Sequence, residues 1–236
     1  MMLGEFSHVI AGCMSLDDIR QALRREIARE GYISSACRAR VPSQGPGRWH
    51  NFFRDWPEGW SKLSDMKNFA ARSAILEEAR RRISPFTWSD VRASRTFSSA
   101  EAEVWETAAS WGWHNGFVVP VHGPGGYLAC IGMGSPERDL DLCTDTRLRL
   151  HMLALIAHER CLALTGFAQS SVPRETLSPR ELECLRWVGA GKTDWEIGII
   201  LSISASTVKF HVNRAREKLG TRTRAQAVAR LGPSAW

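Results

Sequence analysis

From Leu177 to Leu231 the chain reads LSPRELECLRWVGAGKTDWEIGIILSISASTVKFHVNRAREKLGTRTRAQAVARL, and the spacing of its hydroxyl, glycine and apolar residues decides what the last quarter of the molecule is. Four segments in succession open with capping chemistry, in which a Ser or Thr oxygen accepts an orphan backbone N–H and a Glu or Gln three places on returns the bond. They begin at Ser178, Thr193, Ser204 and Thr223; the third lacks the acidic partner. Gly191 and Gly220 stand where helices should stop. The pattern predicts four short helices and no strand.

In the third of these, Val208, Val212, Ala215 and Leu219 fall on one helical face, while Ser206, Lys209, Phe210 and Asn213 project from the other. A helix of this kind fits a DNA major groove. Lys209 and Asn213 suit base edges, beside Ser206 and Thr207 at the helix start, and Arg214, Arg216 and Lys218 suit phosphates. The same amphipathicity also fits a charged, solvated helix of an interaction domain. Charge is concentrated here too: 11 Lys and Arg face 6 Asp and Glu from Arg174 onward, so nearly all of the chain's net +6 lies in its final quarter. Such an excess attracts a polyanion.

Upstream, the pattern changes. Ser15–Glu30 carries Leu16, Ile19, Leu23 and Ile27 at helical spacing between a capping Ser15 and Gly31. Tyr32–Val41 predicts a strand running into the PSQGPG turn, and Gly116–His122 with Tyr127–Gly132 predicts a hairpin around a Gly-Pro-Gly-Gly turn. Helical stretches are expected at 58–67, 71–82, 98–111 and 148–164, with an extended piece at Phe86–Trp88. Strands between helices give an α/β/α sandwich for residues 1–166, a linker at 167–176 and a helical domain at 177–236, an α+β chain overall.

At 236 residues, two domains are the natural expectation. The six cysteines form no C-x-x-C and read as buried thiols of a reducing cytosol. The N-terminal stretch lacks the pattern of a secretory signal, and no apolar run is long enough to span a bilayer, so a cytoplasmic protein without membrane attachment is expected. The histidines offer no metal-ligand spacing, and the 123–126 turn lacks the strand, helix and Lys of a phosphate loop. No catalytic residue, metal site or cofactor is expected. Seven of the ten tryptophans lie between residues 49 and 113, which suits either an aromatic core or a pocket for an amphiphilic small molecule.

The C-terminal stretch, with its S-P-R-E-x-E opening, A-G-K-T and E-I turn and S-x-x-T-V-K-x-H core, resembles the DNA-binding domain of the LuxR (GerE-like) regulators through its whole length. Trp56-Pro57 to Trp60, Ser84-Pro85-Phe86 to Trp88, and Gly116 to Gly126 resemble the autoinducer-binding domain of LuxR-type quorum-sensing receptors. The resemblance implies a homodimeric transcription regulator that binds a pseudo-palindromic site on double-stranded DNA, with an N-acyl-homoserine lactone or related small signal held in the N-terminal domain. It implies a ligand set of Trp56, Trp60, Ser73, Phe86, Trp88 and Trp113, in which the Trp60 indole N–H donates to the lactone carbonyl and Trp88 packs on the ring. A LuxR-type regulator that answers to a different small molecule or a protein partner, or acts without ligand, is the alternative. The sequence departs from the family where Ser73 stands for the usual Asp, and Trp56 and Ser64 for two pocket tyrosines. A neutral serine acceptor forms roughly half as strong a bond as a carboxylate.

Overall fold

The computed structural model describes residues 3–40, 49–57, 59–123, 126–138, 142–167 and 177–231. They fall into two compact units, one ending at Phe167 and one formed mainly by the residues after it.

The first unit is built on a five-stranded sheet. Its strands are β1 (Ser34–Arg40), β2 (His50–Asp55), β3 (Phe86–Thr87), β4 (Asn115–Gly123) and β5 (Tyr127–Ser135), in the order β2-β1-β5-β4-β3. β1 lies antiparallel to both neighbours, with Ser34 opposite Gly134 and Arg38 opposite Cys130. Against β2 the register shifts between Cys37 and Arg38: Cys37 faces Phe53 and Arg38 faces Asn51. Phe52 is the extra residue of that bulge, so Phe52 and Phe53 are both buried.

On one face of the sheet lie α1 (Leu3–Gly12), α2 (Leu16–Ile27) and α8 (Thr144–Thr165). α2 is the helix expected from the sequence, closed by a Ser15–Asp18 capping box and, after a 3-10 turn at Ala28–Glu30, by Gly31 in the left-handed region. α1 was not expected. It has Gly4, Gly12, Val9 and Ile10, all weak helix formers, and forms because Phe6 and Ile10 bury completely.

The other face is covered by short helices: α3 (Trp60–Met66), α4 (Phe69–Arg72), α5 (Ala74–Glu78), α6 (Trp88–Ser94) and α7 (Ser99–Ser110). The helical stretch expected at 71–82 is interrupted because Ser73 has extended backbone and starts a new helix, its hydroxyl accepting the N–H of Leu76. Trp88, expected in an extended piece, instead opens α6 behind a Thr87–Asp90 capping box.

Ala74, Leu76, Ala79, Phe86, Val91, Val118 and Cys130 form a buried core in this unit. The expected Gly-Pro-Gly-Gly turn includes residues outside those described, as does most of the expected linker. Its first residue, Phe167, belongs to the first unit and stacks 4.7 Å from His50.

The second unit consists of α9 (Pro179–Gly189), α10 (Asp194–Leu201), α11 (Ala205–Lys218) and α12 (Arg224–Leu231). Ser178–Glu181 and Thr193–Glu196 form full capping boxes, Ser204 accepts the N–H of Thr207, and Thr223 and Gln226 exchange both capping bonds. Gly191 and Gly220 have φ of 81° and 60°, which only glycine adopts without strain. Cys184, Leu185, Ile197, Val208, Val212, Ala215 and Ala227 form the core.

Candidate functional site

Each unit carries one candidate surface. In the first, a cavity of about 150 Å³ lies between the sheet and α3–α7. Its floor follows from the strand period of two: Ser34, Ala36 and Arg38 of β1, Cys130, Gly132 and Gly134 of β5, and Val118 of β4 all line it. α7 supplies Glu101, Val104, Trp105 and Ala108, a helical stripe at positions i, i+3, i+4 and i+7.

Five tryptophans and Phe69 are part of its wall. Trp60 sits edge-on to Trp113 at 4.8 Å and to Trp56 at 6.4 Å, and Trp88 meets Trp105 at 5.4 Å. Two glycines allow this packing. A Cβ at Gly116 would come within 2.6 Å of both the Met133 carbonyl and the Trp88 indole, and one at Gly134 within 3.0 Å of the Trp113 ring. The Trp113 indole N–H is buried without a hydrogen-bond acceptor. Such an orphan donor costs about 1–3 kcal/mol.

Of the ligand set expected from the sequence, Trp56, Trp60, Ser73, Trp88 and Trp113 come together around this cavity. Phe86 does not line it: its ring is fully buried in the core beneath the cavity, against Ala74, Val91 and Val118. The Ser73 hydroxyl already caps α5. Ser64, buried on α3, also lines the cavity. Sequence reasoning missed Ser34, Arg38, Glu101 and Trp105; the β1 alternation and the α7 stripe are the signals that could have found them.

On the opposite face of the sheet, His158 of α8 is buried and shares a 2.6 Å hydrogen bond with the Tyr127 hydroxyl. Burial lowers the histidine's pKa to about 4, so it is neutral at physiological pH, and raises that of Tyr127. The pair is structural and lies outside the cavity.

In the second unit, Val208, Val212 and Ala215 of α11 are buried as the spacing required. The other face presents Ser206, Lys209, Phe210 and Arg214 to solvent, Phe210 at 57% exposure. Arg214 lies over the Phe210 ring at 5.7 Å. Ser206 and Thr207 both share hydrogen bonds of 2.7 Å with the capping Ser204 hydroxyl. Asn213 accepts from Arg216 at 2.9 Å, and Arg216 also donates to the Arg222 carbonyl, holding the turn after α11.

Lys218 pairs at 2.7 Å with Glu181, which is only 4% exposed. Burial alone would raise the Glu181 pKa; the Lys218 ammonium and the Ser178 N–H outweigh it and hold the carboxylate below its usual range. Lys209, Phe210 and Arg214 therefore make the outward surface of α11, while Arg216 and Lys218 are engaged within the unit.

Among the described residues no cluster of His, Cys, Asp and Glu could hold a metal ion, and no helix is long and apolar enough to cross a membrane. Residues 15–161 match the family described as the autoinducer binding domain, and residues 175–231 match that of the bacterial regulatory proteins, luxR family. The HTH-type quorum sensing-dependent transcriptional regulator RpaR of Rhodopseudomonas palustris is 36% identical over 175 residues, which cover 74% of this chain and 70% of that protein. The transcriptional activator protein BjaR1 of Bradyrhizobium diazoefficiens is 33% identical over 174 residues, with the same coverage. Among solved structures, SdiA in complex with octanoyl-rac-glycerol superposes with a TM-score of 0.72 at 21% identity, covering 99% of this chain and 93% of that one.

Proposed function

Because the chain belongs to the LuxR family of transcription regulators, with an autoinducer-binding domain ahead of its helix-turn-helix domain, we propose that the aromatic cavity of the first unit binds an N-acyl-homoserine lactone or a closely related acyl signal. The observation that carries this reading is the convergence of Trp56, Trp60, Trp88, Trp105 and Trp113 around one cavity, with the Trp113 indole N–H buried and unpartnered. Apolar walls with few polar groups suit an amphiphile whose head needs acceptors for fixed donors and whose chain needs cover.

In this reading a lactone head lies among Trp60, Trp88 and Trp113, and its carbonyl oxygens accept from indole donors. Ser73 replaces a charged acceptor for the amide N–H with a neutral one. That weakens the bond, and aromatic contact area makes up the difference. The acyl chain runs along the β1–β5 floor.

In the cytoplasm a homodimer places two copies of α11 in successive major grooves of a pseudo-palindromic site. Lys209 reads a base edge, with Asn213 beside it once Arg216 yields its bond; Arg214 meets phosphate. Ser206 and Thr207 keep their bonds to Ser204 and fix the start of the helix.

A thermal-shift series of the full chain against lactones of increasing acyl length tests the ligand. A concentration-dependent rise in Tm for one chain length is expected, since a ligand that binds only the folded protein stabilises it. A folded protein unmoved by any member would contradict lactone binding. The octanoyl-rac-glycerol in the SdiA complex makes neutral acyl glycerols the natural second series.

A further inference from the structure

Ser34 and Arg38 mark the two ends of the cavity floor on β1. Four residue steps of extended chain separate them, about 13 Å. At the Ser34 end, Ser34 pairs with Gly134, over which the Trp113 ring lies. The other end has a different chemistry. The Arg38 guanidinium is half-buried, 5.2 Å from the centre of the Trp56 ring, and Arg54 meets the same indole at 5.1 Å. Arg54 has its counter-ion in Asp65 at 2.9 Å.

The Arg38 side chain has neither an ion pair nor a hydrogen bond with any described residue. Contact with an indole leaves its charge and its five N–H donors unmatched. Glu101, the other ionic group lining the cavity, is already committed to Arg95 and to Ser98. Among the described residues, Arg38 is thus the cavity-lining cation without a direct partner; Asp65, already paired with Arg54, acts on it only at longer range. Desolvation, with the neighbouring Arg54, draws its pKa below the ordinary arginine value, yet a guanidinium so placed stays protonated at neutral pH.

We infer that Arg38 binds an anionic oxygen group, a carboxylate, carried by the end of the ligand's chain on the Trp56 side of the cavity, away from Ser34; this inference rests on the ligand-binding reading of the cavity. A planar guanidinium matches a carboxylate with two parallel bonds, and the pair is strongest where water is scarce. A methyl-ended acyl chain would instead offer the guanidinium no acceptor and displace some of its remaining water, an arrangement that disfavours binding.

Binding of three probes to the full chain, measured by titration calorimetry, tests this: decanoyl-homoserine lactone, its analogue with a carboxylate in place of the terminal methyl, and decanoate. The wild type is expected to bind the carboxylate-ended lactone about tenfold more tightly than the methyl-ended one. Arg38→Met should abolish or reverse the preference, and Arg38→Lys, which keeps the charge, should retain it. If Arg38→Met does not fold, the wild-type ratio and Arg38→Lys decide.

Wild-type protein that binds the methyl-ended lactone as tightly or more tightly overturns the role of Arg38 while leaving lactone recognition intact. Failure of both lactones overturns the lactone head instead. Decanoate then judges Arg38: binding that is lost in Arg38→Met upholds the inference, and no binding to the wild type overturns it.

Discussion

Trp60 stands at the centre of the aromatic wall, touching Trp56, Phe69, Trp111 and Trp113. Trp60→Phe keeps a ring in that place and removes one indole N–H. It should leave the unliganded Tm within a few degrees of wild type while weakening lactone affinity several-fold, the worth of one hydrogen bond of about 1 kcal/mol. A titration showing unchanged affinity would remove Trp60 from the ligand contacts. Gly116→Ala acts by a different route: the new methyl meets a backbone carbonyl that cannot retreat and the Trp88 indole. Overpacking of this kind costs about 1–3 kcal/mol, and displacement of Trp88 should also lower the ligand-induced shift. Much of this wall was legible in the sequence because its tryptophans sit in spaced patterns. Phe86 shared such a pattern with Trp88, yet the step from β3 into α6 turns Phe86 into the core. Arg38 was illegible as a pocket residue because the alternating arginines Arg38 and Arg40 of SSACRAR read as solvent-facing strand positions. Only the burial of both sheet faces makes it otherwise.

The capping residues of the second unit fixed its helix starts in the sequence, since the bonds that close them are local and need no tertiary partner. Strand β2 was missed for the converse reason. Its bulge puts adjacent Phe52 and Phe53 into buried positions, which destroys the alternation by which strands are recognised. Helix α8 carries a testable pH dependence. Its His158 has a folded pKa of about 4 against about 6.5 when unfolded, so between these values the unfolded chain takes up a proton that the folded unit refuses. Stability from this source is complete above pH 6.5 and declines as pH falls towards 4, by an amount on the order of 3 kcal/mol. His158→Gln, measured by melting across that range, should flatten the decline; curves that stay parallel to wild type would show that His158 does not govern it. In α11, the pairing of Lys218 with Glu181 separates stability from recognition. Lys218→Met should destabilise the second unit by about 1–3 kcal/mol, because it leaves a buried carboxylate short of a partner, and should leave the salt dependence of DNA binding unchanged. Lys209→Ala should do the opposite, sparing Tm and losing discrimination at one base position by about 1–3 kcal/mol in a mobility-shift series with substituted operators.

The whole molecule joins an autoinducer-binding sensor domain to a DNA-reading domain, each legible in the sequence to a different degree. The reader declared itself through local chemistry and a charge excess confined to the last quarter of the chain. The sensor's fold was visible in its hairpin and its flanking helices, but its specificity depends on which side chains a sheet and five short helices bring to one cavity. Affinity for DNA should fall steeply with salt, in proportion to the phosphates neutralised, and a change in that slope on adding ligand would report a change in how many are engaged. The central claim, that the aromatic cavity is where the signal binds, is tested most directly by following the tryptophan indole N–H resonances of the intact protein during titration with the lactone that gives the largest thermal shift. The account predicts that the signals of Trp60, Trp88 and Trp113 move together and saturate at one equivalent per chain, with the Trp113 N–H shifting as its missing acceptor arrives. Saturable binding that leaves those three signals in place would contradict it.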